Sequence, residues 1–159
     1  MWKPVEVLIG RIGTFAAAAT LSLALLAMAA QVFFRYFIGD SIIWAEELAR
    51  YALLWSAMIG AAVAYRQGAH VAVGALWDLI PVGVVRHLWR LIHLTVIAFA
   101  ALMVWQGWFL SLRNFDRHQL SPALQIEIAW IYLAIPLGGL LIAVAAAEAL
   151  WFGRKPAGQ

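Results

Sequence analysis

Arg35, Glu46, Glu47 and Arg50 are the densest group of charged side chains in a chain that carries few. Their spacing suits ion pairing rather than bond-making chemistry. Arg35 lies five residues before Asp40 and Glu46 five after Ser41. In an antiparallel hairpin closed at Asp40 and Ser41 the two side chains stand side by side, which makes an ion pair tolerable near lipid. Glu46 and Arg50 are four apart, acid first, the favourable helical order, and Glu47 sits in the positive first turns of the same helix. With Tyr36 and Trp44 beside them, these residues form a candidate cluster that fixes the hairpin, offers a docking surface, or does both.

Histidines are the other candidates for chemistry. Four-helix membrane bundles can hold haem between histidines on facing helices, so a haem-binding electron-transfer subunit is the rival reading. It requires ligands at matched depth. His87 and His93 fall on one predicted helix near one face, His70 lies beside them in a connection, and His118 sits in the opposite loop. The first, second and fourth spans contribute none. A membrane enzyme acting on lipids or conjugates lacks any recognisable nucleophile and base. With no cysteine, disulfides, iron–sulfur clusters and thiol–disulfide exchange are excluded.

The elements that position these residues are apolar. Of 159 residues 65% are hydrophobic and 12% charged, too greasy for a soluble domain of this size. The chain is therefore expected to be a single-domain (1–159), all-α integral membrane protein. A formal charge of +3, scattered along the chain, gives nucleic acid binding nothing to stand on.

Four spans are predicted, at about residues 12–38, 43–65, 86–112 and 126–152, each long enough for a bilayer core that needs roughly 20 apolar residues. Residues 1–11 read as an interfacial lead-in. A secretory leader cut after Ala27–Ala30 is disfavoured because the apolar stretch runs on and no soluble domain follows. Ser41 or Asp40 is the expected N-cap of the second span, and Ser121, followed by Pro122 at the first helical position, that of the fourth. Pro136 with Gly138 and Gly139 should bend or loosen the fourth span near its middle. Two stripes of small residues, Ser56, Gly60 and Ala64 and then Gly139, Ala143 and Ala147, permit close helix packing. Between the second and third spans, residues 69–81 are too interrupted by glycine and proline to cross. They read as a short interfacial helix, with His70 as a polar anchor and Trp77 at the headgroup boundary.

Four spans put both termini on one side. Lys3, Arg11, Arg66, Arg86, Arg90, Arg154 and Lys155 share it, against Arg35, Arg50, Arg113 and Arg117 opposite. The basic excess predicts cytoplasmic termini, with the hairpin cluster and the loop containing Arg113, Asp116 and Arg117 facing the periplasm. No charge falls at the centre of any span. A secondary transporter normally displays polar or ionisable groups there, so this chain is not expected to transport alone.

Particular stretches carry a family resemblance. The run Q-V-x-x-R-Y from Gln31, then W-x-E-E-L-A-R-Y from Trp44, then G-A-A-x-A-x-R-x-G-x-H from Gly60 resembles the small membrane subunit of the tripartite ATP-independent periplasmic (TRAP) transporters. Ser121-Pro122-Ala123-Leu124, followed by Trp130, Tyr132 and Ile135-Pro136-Leu137-Gly138, is similar to that family's last helix. The resemblance implies a non-catalytic small permease subunit of the bacterial inner membrane. Its partners would be a large permease subunit, a periplasmic substrate-binding protein and membrane lipid. It implies no cofactor on this chain, a coupling ion, usually sodium, on the large subunit, and an organic acid as the cargo. The hairpin cluster then becomes a candidate subunit interface, and Arg113, Asp116 and Arg117 a candidate docking site for the binding protein.

Overall fold

The computed structural model describes residues 3–67 and 82–152, with side chains described over 9–67 and 87–151. Helix α1 spans Lys3–Phe33 and runs on as a π turn through Phe34–Ile38. Helix α2 spans Ile43–Arg66, α3 Val82–Asp116, α4 Ile128–Tyr132 and α5 Ala134–Phe152. Four stretches are long and apolar enough to cross a membrane: Ile9–Ile38, Ile43–Arg66, His87–Asp116 and Ile128–Trp151. At 1.5 Å per residue the first rises about 45 Å, more than the roughly 30 Å of hydrocarbon it must cross.

The helices lie in a row. α1 packs on α2, α2 on α5, and α5 on α3. Packing residues are small. Ala24 and Ala27 of α1 meet Ala45, Ala49 and Ala52 of α2, and every buried apolar side chain among those described is alanine except Ile131 and Pro136. Large apolar side chains such as Phe15, Leu26, Phe99, Leu102 and Trp105 point outward instead. That inversion is the arrangement of a protein whose solvent is lipid. Lipid solvates leucine as well as protein does, so helices associate through close backbone approach. In the two outer helices only 11% of the most apolar window is buried, leaving long faces of α1 and α3 uncovered.

Polar and glycine contacts fix the crossings. Ser56 Oγ donates to the Ala17 carbonyl at 2.9 Å, and Gly60 faces the same turn of α1. Ala64 and Ala143 are half-buried. A Cβ on Gly139 would stand 3.1 Å from the Ala100 carbonyl oxygen, so its missing side chain sets the distance between α5 and α3. Gly107 packs directly against Pro136.

Several expectations change. Residues 3–11 are continuous with the first span: Pro4 sits in the first turn, no proline follows it, and Gly10 and Gly13 are taken up within the helix. The hairpin turn begins at Gly39, whose φ of 79° only glycine adopts at little cost and whose N–H bonds the Phe34 carbonyl at 3.1 Å. Neither Asp40 nor Ser41 caps α2; Ile42 holds that position with no side-chain bond. Ser121 and Pro122 do not start the last span either, since residues 122–124 form a turn and α4 begins at Ile128 behind Glu127. The interruption in the last span falls at Leu133, nearer the start than the middle. Pro136 has no N–H to give the Tyr132 carbonyl and its ring crowds that oxygen, so the loosening lies N-terminal to the proline. The predicted interfacial helix, with His70 and Trp77, lies outside the described residues.

Candidate functional site

The end of the molecule bearing the 38–43 hairpin and the 117–127 loop concentrates the designed polar geometry. Glu47 is its centre. On α2 the alanines at 45, 49 and 52 face α1, which turns position 47 toward the other neighbour, the loop preceding α4. There Glu47 is 7% exposed. One carboxylate oxygen, Oε2, accepts the backbone N–H of Ala123 at 2.8 Å and of Leu124 at 2.9 Å. The other, Oε1, accepts the Tyr51 hydroxyl one helical turn below. Charge-assisted bonds of this kind are the stronger ones, and two backbone donors that lipid could not satisfy are satisfied here.

The loop that presents those donors is closed upon itself. Ser121 is fully buried; its N–H donates to the Ile126 carbonyl at 2.8 Å and its hydroxyl accepts from the Ile126 N–H at 3.3 Å. An antiparallel bridge joins Leu120 and Glu127, and the Ile128 N–H reaches the Gln119 carbonyl at 3.0 Å. Gln125, with a positive φ of 55°, folds its amide nitrogen back onto the carbonyls of Ser121 and Pro122 at 3.1 and 3.0 Å. Pro122 supplies the turn with a fixed φ and no N–H to satisfy. Phe115 and Trp130 meet edge to face, ring centres 5.5 Å apart, and pin the loop's two stems.

Around this locked loop stand the charged candidates. Arg113, Asp116 and Arg117 are exposed, and among the described residues none of them forms an ion pair. His118 is exposed, with Nδ1 3.3 Å from Glu127 Oε1. The hairpin cluster divides into three parts. Glu46 and Arg50 pair at 3.2 Å on the surface of α2. Glu47 turns inward to the loop. Arg35 stands apart: it is exposed on the π turn, with its guanidinium carbon 5.9 Å from the Tyr36 ring centre, and it does not meet Glu46. The hairpin closes earlier than the Asp40–Ser41 register assumed, and the π turn swings Arg35 outward. Trp44 and Tyr36 are exposed beside it.

Two contacts at the opposite end escaped sequence reasoning. Arg66, closing α2, donates to both carboxylate oxygens of Glu148 at 2.9 and 3.0 Å, tying the far ends of α2 and α5. His93 is buried, its Nδ1 hydrogen-bonded to the Tyr65 hydroxyl and its ring edge to face with Trp89 at 4.0 Å. Among the described residues its ring contacts are Tyr65 and Trp89. Arg66 and Glu148 are single charges at the ends of apolar runs, a signal that pairing is needed but not with whom. Among the described residues no group of three or more histidines and carboxylates could hold a metal ion.

The model for the DctQ component of tripartite ATP-independent periplasmic transporters matches residues 24–154. The chain belongs to that family. It is therefore a small TRAP permease subunit, a multi-pass protein of the inner membrane and not an enzyme. Similar proteins include the ectoine TRAP transporter small permease protein TeaB of Halomonas elongata, 30% identical over 78% of this chain and 66% of that protein. The C4-dicarboxylate TRAP transporter small permease protein DctQ of Rhodobacter capsulatus is 30% identical over 65% of this chain and 46% of its own length. The isethionate TRAP transporter permease protein DctMQ of Oleidesulfovibrio alaskensis is 29% identical over 64% of this chain, but the match spans 16% of that protein. Within this DctQ-family chain, the W-x-E-E and S-P-A-L stretches, 76 residues apart at Glu47 and Ala123, are the two sides of one contact.

Proposed function

We propose that this chain braces a large TRAP permease subunit and helps dock the substrate-binding protein, in ion-gradient-driven uptake of an organic acid. Glu47's grip on Ala123 and Leu124 is the observation that carries the reading. It makes the 117–127 loop a rigid platform at one membrane face, with Arg113, Asp116 and Arg117 free to meet a partner. The uncovered faces of α1 and α3, and the exposed Arg35, Tyr36 and Trp44, suit contact with the large subunit. Span centres without charge favour a static role, with the substrate path and the coupling ion, sodium in our reading, on the larger partner. The basic excess at the termini favours cytoplasmic ends and a periplasmic platform. Relatives named for isethionate, C4-dicarboxylates, sialic acid and ectoine support a cargo that bears a carboxylate or sulfonate group.

The test is reconstitution in vesicles. This chain alone should accumulate nothing, and with the large subunit and binding protein it should support uptake. Alanine at both Arg113 and Arg117 should lower that uptake when binding protein is limiting. Concentrative uptake by the chain alone would overturn the brace, and unchanged uptake by the double variant would overturn the docking assignment.

A further inference from the structure

A cleft of ≈ 710 Å³ opens between the first turns of α2 and the segment from Pro122 through α4. Its polarity is graded. Glu46 and Arg50 line the end nearer the membrane surface, while Leu53, Leu54, Ala57 and Ile131 line the part nearer the span's centre, where Leu53 and Ala57 are themselves exposed. Glu47 and Tyr51 also border it, but their polar atoms are engaged with each other and with the loop amides. The mouth lies at the membrane-surface end of the span and the floor runs toward its centre. From Arg50 to Ala57 the helix descends about 10 Å, several methylene groups deep.

We propose that this cleft binds one acyl chain of a phospholipid whose headgroup carries both a phosphate and an ammonium, the chemistry of phosphatidylethanolamine. The Glu46–Arg50 pair supplies the charge complementarity: both side chains are more than half exposed, at 56% and 69%, and sit 3.2 Å apart. A solvent-exposed pair of this kind is weak and exchanges easily. Arg50 can turn its planar fork to the phosphate, and Glu46 then takes the ammonium. A purely anionic headgroup leaves Glu46 facing a second negative charge. Water cannot fill the apolar floor, since nothing there bonds to it.

Native mass spectrometry of the full chain in detergent tests this, with phosphatidylethanolamine, phosphatidylglycerol and diacylglycerol of equal chain length as probes. Phosphatidylethanolamine should be retained roughly tenfold better than the other two, reflecting two charge-assisted contacts that neither can make together. Arg50→Gln and Glu46→Gln, both exposed and harmless to the fold, should each erase most of that preference. Ala57→Trp, checked for native helicity by circular dichroism, should remove the bound lipid by filling the floor. Equal retention of all three lipids by the wild type, or undiminished preference in Arg50→Gln, would overturn the assignment. So would a photo-crosslinker at position 57 that, in the assembled complex, captures the large subunit instead of lipid.

Discussion

Glycine at a helix crossing can be required or merely tolerated, and Gly107 and Gly60 separate the two cases. On Gly107 a Cβ would stand 2.7 Å from Pro136 Cδ, 2.9 Å from Ile135 Cγ2 and 3.0 Å from the Pro136 nitrogen. Two of those three atoms belong to a proline ring or backbone that cannot swing aside. Gly107→Ala must therefore push α3 away from α5 at the point where α5 is already loosened. Overpacking of this kind costs about 1–3 kcal/mol, against which the better helix propensity of alanine returns up to about 1 kcal/mol. On Gly60 the same Cβ would meet only the Ala17 methyl, at an ordinary 4.0 Å. Gly60→Ala should then be neutral or stabilising by a few tenths to about 1 kcal/mol. The assay is reversible unfolding of the purified chain in mixed micelles, followed by tryptophan fluorescence and far-ultraviolet circular dichroism. Opposite signs are expected, with Gly107→Ala lower in midpoint than wild type and Gly60→Ala equal or higher. Equal losses in both variants would refute the reasoning, because they would mean that small size alone, not the rigid atoms opposite, governs these crossings.

Glu47→Ala should leave the Ala123 and Leu124 amides without an acceptor and free the 117–127 loop. Tryptic cleavage at Arg117 should accelerate roughly tenfold or more, the factor expected when a buried donor loses its charged partner. Glu47→Gln should do far less, since its remaining oxygen can still take both amides while its NH2 donates to Tyr51 Oη; equal protection in the alanine variant would show that the loop holds itself. For the far end, a double-mutant cycle on Arg66→Gln and Glu148→Gln should return a coupling of about 0.5–3 kcal/mol in unfolding free energy. Additive effects there would dismiss the pair as a bystander.

Much of the architecture was legible because apolar length is a strong signal. Four runs able to cross a membrane, an all-helical fold and the i,i+4 pairing of Glu46 with Arg50 follow from spacing along one chain segment. Ser56 and Gly60 share one face of α2 for the same reason: a four-residue spacing defines one face of a helix. Helix ends were harder. Ser121-Pro122 has the form of a helix start, yet Ser121 spends its hydrogen bonds closing a turn onto Ile126, a choice made by the bridge between Leu120 and Glu127 that spacing alone does not reveal.

Membrane insertion, the four apolar runs long enough to cross and the lack of charge at mid-span are determined by the order of residues, since transfer into lipid is a sum over local composition. Which carboxylate meets which partner is not. Glu46 and Glu47 are neighbours of one chemical type, and only the rotation of α2 against α1, set by its alanine face, sends the first to the surface and the second into the loop. The tertiary structure likewise decides that Arg66 finds Glu148, 82 residues away, and that Arg35 finds neither acid of the hairpin. Such contacts depend on the relative placement of elements, and that placement follows from close packing among all four spans at once.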